Sequence, residues 1–215
     1  MKQKILHILA LVLGAVCHPL WMPTYGMLFY CASLSHFYGP QPTAYWLITS
    51  LGTFVLTALI PLSLMIIRFF TGTITTIQIR NPKERTAVYA YALVCYFFWC
   101  YFLLGILHAP ISLFFIAVGA TLALSGVLVI NHYWKISAHL TGLGGLIGGV
   151  CAYCLCNGLP LPLKLITCLL IVSLIVMYAR LYTNEHTPLQ VVVGLLYGLT
   201  ITSLPAIIYN LFAHA

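Results

Sequence analysis

The chain has 215 residues, of which 62% are hydrophobic and 5% charged, with nine Lys and Arg against two acidic residues, Glu84 and Glu185. So little charge cannot cover the surface of a soluble domain, and bilayer lipid must be most of the solvent. The positive excess sits at the ends of apolar segments, which suits lipid headgroups or a bound phosphate and excludes a nucleic-acid surface.

A spanning helix needs about 20 apolar residues, and that length marks seven segments. The first runs from Ile5 to Cys31, interrupted near His18-Pro19 and Pro23, where it can divide or turn back. The second covers Ala44 to Phe70, the third Ala87 to Leu107 and the fourth Pro110 to Ile130. The fifth covers Ala138 to Cys156, the sixth Leu163 to Tyr178 and the seventh Thr187 to Phe212. The start Met1-Lys2-Gln3-Lys4 has the basic character of a signal peptide, but no small-residue cleavage site follows, so this stretch reads as part of the first membrane segment.

The connections are of two kinds. Ser33–Thr43, His108-Ala109-Pro110 and Asn157–Pro162 carry little charge. Thr71–Thr86, Asn131–Ser137 and Arg180–Glu185 carry most of it. Two segments separate each polar connection from the next, so all three fall on one face of a seven-span bundle. Lys2, Lys4 and Arg68 fall there too, a weak positive-inside signal. Gly144 with Gly148, Gly145 with Gly149, and Gly194 with Gly198 have the four-residue spacing that lets membrane helices approach closely. The fifth and seventh segments are therefore expected to be central and packed together. The eight Cys residues show no disulfide pattern. Cys151 and Cys154 form a C-x-x-C inside an apolar run without other ligands nearby, so they read as small buried hydrophobes.

Ionisable residues beside membrane segments mark functional positions. Ser137 is a reasonable N-cap, which puts His139 in the first turn of the fifth helix. Pro188 suits the first turn of the seventh helix, which leaves His186 at its mouth. Two helix starts, each presenting a His, with Lys135, Arg180 and Arg85 around them, would make an anion site. Each of these residues has an ordinary reading as well. His186, Arg180 and His139 are residue types that settle at headgroups. Lys83 and Arg85, within Asn81-Pro82-Lys83-Glu84-Arg85, also fit a solvated loop paired through Glu84. His132 reads as structural, and His7, His18, His36, His108 and His214 join no constellation.

At these residues the chain resembles the type 2 phosphatidic acid phosphatase family, which shares a helical core with vanadium haloperoxidases. That family carries Lys, six residues, then Arg-Pro; the run Pro-Ser-Gly-His; and Ser-Arg, five residues, His, three residues, Asp. The third motif is matched by Arg180, His186 and Gln190, and the second by Ile136-Ser137-Ala138-His139. In the first, Arg85 takes the Arg position, Gln78 stands in place of Lys and Thr86 in place of Pro, with Lys83 as the replacement cation. The resemblance spans roughly the last 140 residues. It divides the chain into N-terminal membrane helices at 1–70 and a core at 71–215, within one integral domain.

The resemblance implies that His186 attacks phosphorus to form a phosphohistidine and that His139 protonates the leaving group. Arg180, Arg85, Lys135 and Lys83 would neutralise the phosphoryl oxygens, with Ser137 assisting. Gln190 replaces the Asp that orients and charges against the attacking His; a Gln carbonyl accepts the same hydrogen bond but supplies no charge. The expectation is an all-α polytopic bundle of six or seven helices in a bacterial inner membrane. It would hydrolyse a lipid phosphate or pyrophosphate without a metal or cofactor. The alternative is a catalytically degenerate relative that binds or moves phospholipid headgroups. Membrane lipid and a phosphorylated lipid are the implied partners.

Overall fold

The computed structural model describes residues 2–73 and 82–213, without the side chains of residues 2, 3, 5, 82 and 83. Among these residues the fold is all helix, and seven stretches are long and apolar enough to cross a membrane. Helices α1 (Lys2–Val16) and α2 (Met22–Tyr38) are joined by a 3₁₀ turn at Pro19–Trp21. Helices α3 (Thr43–Phe54) and α4 (Ile60–Phe70) are joined through a π-helical turn, Val55–Leu59. Then come α5 (Pro82–Tyr101), extended by a π-helical turn at Phe102–Ile106, α6 (Ile111–Ile130), α7 (Ala138–Cys156), α8 (Leu163–Tyr182) and α9 (Pro188–Ala213). The outward surface is apolar: Phe98 is 59% exposed and Leu174 63%. Exposure of that kind on side after side of a bundle is tolerated in lipid, not in water.

The prolines account for the interruptions. Pro19 forces His18 into an extended conformation, φ −64° and ψ 136°, and the helix stops there. The His18 Nδ1 accepts a hydrogen bond from the Leu20 amide at 3.4 Å and caps the short turn that follows. Pro61 has no N–H for the carbonyl one turn earlier. The chain responds with one wider turn, in which the Ile60 amide donates to the Val55 carbonyl.

The break at His18 is deeper in meaning than a kink. Gly142, near the start of α7, packs on Pro19 and Met22, Gly26 packs on Leu146, and the Tyr30 ring meets Tyr153 edge to face at 5.5 Å. Helix α2 therefore runs parallel to α7, from its first turns to its last. Its 17 residues span about 25 Å, so α2 makes the crossing itself. The end of α1 is left beside the start of α7. The first segment thus extends seven residues past its expected end at Cys31, and the expected Ser33–Thr43 connection shrinks to 39–42. The sixth segment also runs on, to Tyr182, so Arg180 lies in the last turn of α8 rather than in the connection. A cation is favoured there by the helix dipole.

Helices α7 and α9 make the closest contact in the bundle. A Cβ added to Gly144 or Gly148 would overlap the main chain of Leu195 or Leu199, and one added to Gly198 would overlap that of Thr141. Gly194 faces the Ser137 carbonyl in the same way. The expected fifth-to-seventh packing is present. Gly145 and Gly149 belong to a different face of α7, against Thr202 and Ile116. The eight Cys residues are all free thiols.

Candidate functional site

The polar connections meet. The Asn131 Nδ2 donates to the Thr86 hydroxyl at 3.1 Å and so ties the end of α6 to the start of α5. The Ser137 amide donates to the Gln190 carbonyl at 3.3 Å and ties the start of α7 to the start of α9. Lys135 and Glu185 form an ion pair at 3.5 Å between the second and third connections. Where the family pattern has a proline, Thr86 supplies one of these ties.

These ends surround the mouth of one cavity of about 500 Å³, into which Arg85, Lys135, His139, Arg180, Glu185 and His186 all project. Arg85, Lys135 and Arg180 face one carboxylate, Glu185, so the lining carries an excess of basic side chains. Arg85 is only 8% exposed, and among the described residues its Nε has no hydrogen-bond partner; the Arg180 Nε is likewise buried and unpartnered there. Buried guanidinium groups are costly unless an acceptor reaches them. Arg85 sits in the first turn of α5, which opens on Pro82. It is therefore a buried helical residue, and the solvated-loop reading does not hold for it. Lys83 is in the same turn, but its side chain lies outside the described residues.

His186 is held by its neighbours. Its Nδ1–H donates to the Gln190 Oε1 at 3.1 Å, and the Thr187 amide donates to the same oxygen at 3.1 Å. Pro188 begins α9, so His186 and Gln190 lie one turn apart across the helix start, within side-chain reach. Burial pushes the His186 imidazole down to about 4, and the Lys135 and Arg85 charges act the same way. The hydrogen bonds with Gln190 and the Lys135 carbonyl oppose the shift but do not cancel it. The site therefore favours the neutral ring at ordinary pH.

His139 is placed differently from what its motif position alone suggests. Its Nε2–H donates to the Gly14 carbonyl of α1 at 3.1 Å. The His18 ring stands edge-on to it, 5.5 Å between centroids. Gly14 also lies against the Arg180 guanidinium, with no room for a Cβ between them. So α1 and the break that follows it, outside the stretch that carries the motifs, bring a carbonyl and a third His to the site. His18 was expected to join no constellation. Its only signal in the sequence was the proline after it, which reads as a helix break. Glu185 joins the cavity wall beside Lys135, fifty positions away in the sequence, a pairing that no local motif signals.

Two expected site residues stand behind the cavity wall. Gln190 reaches the cavity only through its hydrogen bond with His186. Ser137 is fully buried at the N-cap position of α7, but its hydroxyl makes no cap hydrogen bond and has no partner among the described residues. Its carbonyl accepts from the Thr141 amide and hydroxyl instead. His132, in the turn after α6, hydrogen-bonds the Leu128 carbonyl of that helix at 3.1 Å, as a structural residue does. No family model matches the chain, and neither does any curated protein or solved structure.

Proposed function

We propose that the protein hydrolyses a phosphorylated membrane lipid at this mouth, with His186 as the nucleophile. The observation that carries the reading is the convergence of two His and three cations from four separate helix ends on one cavity. Phosphoryl transfer is mostly positioning and charge stabilisation, so a cluster of cations can serve it. Arg85 and Arg180, each with a buried Nε that lacks an acceptor, would receive the phosphoryl oxygens, with Lys135 beside them. With Nδ1 committed to Gln190, His186 presents Nε2 to phosphorus. The N–P bond forms as the P–O bond to the lipid alcohol breaks. His139, as a doubly protonated ring, gives the leaving oxygen its Nε2 proton and keeps the one on Nδ1. For this the Nε2–H must pass from the Gly14 carbonyl to that oxygen. Water then attacks the phosphohistidine, His139 takes back a proton, and inorganic phosphate leaves. This is the chemistry of the type 2 phosphatidic acid phosphatases, whose motif order the chain resembles.

A second reading, a binding protein for phospholipid headgroups, is favoured by two observations. Gln190 holds His186 without a charge, and the His139 proton is already accepted by Gly14. Purified protein in lipid nanodiscs, offered phosphatidate, phosphatidylglycerol phosphate and a polyprenyl pyrophosphate, separates the two. The phosphatase reading expects inorganic phosphate from at least one lipid and none with His186→Ala. Lipid binding that depends on Arg180, without phosphate release from any of them, selects the binding protein.

A further inference from the structure

We infer that the cavity continues below its polar mouth as a shaft that takes one hydrocarbon chain of the phosphorylated lipid and limits its length. The inference rests on the phosphate reading of the mouth and adds where the tail goes. On α5 the cavity reaches from Arg85 to Trp99, and on α7 from His139 to Tyr153. Each pair is fourteen residues apart, a depth of about 21 Å at the helical rise. Three backbone bonds extend about 3.5 Å, so roughly 18 saturated carbons fill that depth.

Small residues create the space. Ala92, Ala117, Ala120, Gly145 and Gly149 line the shaft on three helices. Gly145 and Gly149 keep the α7 wall low where it meets Thr202 of α9 and Ile116 of α6, while Gly144 and Gly148 pack on the α9 main chain. The floor is aromatic. Tyr30 shares a hydrogen bond with Tyr45 at 2.8 Å, and the Trp99 Nε1–H donates to Thr53 Oγ1 at 3.0 Å. Those polar tips are occupied, so the rings turn apolar surfaces inward. An apolar cavity beneath a cation cluster fits an amphiphile with a phosphate at one end and an alkyl chain at the other.

The test uses the full-length protein in nanodiscs with decylphosphonate and octadecylphosphonate, whose C–P bonds resist hydrolysis, each brominated at the terminal carbon. The octadecyl chain is expected to quench Trp99, read as the quenching lost in Trp99→Phe, and the decyl chain is not. Ala117→Phe, a plug at a fully buried position in the deep half, is expected to weaken octadecylphosphonate about tenfold and leave decylphosphonate unchanged. Should Ala117→Phe fail to fold, the Trp99 quenching decides alone. Binding that falls with Arg180→Gln but gives no Trp99 quenching, with both chains tolerated by Ala117→Phe, overturns the shaft and keeps the phosphate site. No binding of either phosphonate overturns the phosphate reading and the shaft together.

Discussion

On the phosphatase reading, the pair His186 and Gln190 concentrates the chemistry at the residue scale. The amide oxygen fixes the ring but does not stabilise the positive charge formed on attack. Gln190→Asp is therefore expected to raise turnover on a lipid phosphate, while Gln190→Ala lowers it by freeing the ring. In a serine protease, the equivalent change from carboxylate to amide costs about 10⁴ in rate, which bounds the gain. Turnover unchanged by both substitutions would mean that another group orients the ring. A pH effect follows from the same residue. The His186 pKa is depressed from 6.5 to about 4 in the fold, so the unfolded chain takes up the proton first. Its contribution to stability is complete above 6.5 and is lost as pH falls through the window down to about 4. Thermal unfolding across that window should be less pH-sensitive in His186→Gln, and kcat/KM should keep its nucleophile until the pH nears the lower end. The Arg180, His186 and Gln190 spacing was legible in the sequence because one short connection, from the last turn of α8 to the start of α9, fixes it. His18 and Gly14 were not, because they reach the site through a fold of α1 that local sequence does not encode.

At the scale of elements, glycines set two different contacts. On Gly148 a new Cβ meets the Leu199 main chain, which cannot yield without separating α7 from α9. Gly148→Ala is expected to cost about 1–3 kcal/mol of stability, read as a lowered Tm in detergent. On Gly14 the new Cβ meets the end of the Arg180 side chain, which can move. Gly14→Ala should therefore keep Tm near the original and weaken binding of a phosphorylated lipid. A large Tm loss at Gly14 with binding intact would separate α1 from the site. Span lengths and the α7–α9 pairing could be read from apolar runs and glycine spacing. The ends of α2 and α8 could not, because Ser33 and Arg180 look like connection residues until their helical surroundings are known. Ser33 is buried in α2, and Arg180 turns inward from the last turn of α8.

For the whole molecule, the seven-span count brings three polar connections to one end, and the cavity is the result. The chain has only two carboxylates, Glu84 and Glu185, and Glu185 is paired with Lys135. Divalent cations of the magnesium type require oxygen ligands. Phosphate release is therefore expected to survive EDTA and to be inhibited by vanadate, an analogue of five-coordinate phosphorus. Loss on chelation with recovery on adding magnesium would require a different mechanism. The central claim is that phosphorus passes through His186. Rapid alkaline quench of the protein with a turning-over lipid phosphate, followed by peptide mass spectrometry, reads it directly. The account predicts an acid-labile phosphoryl group on His186, absent after His186→Ala. Steady phosphate release with no adduct on His186, or with the adduct on His139, would contradict it.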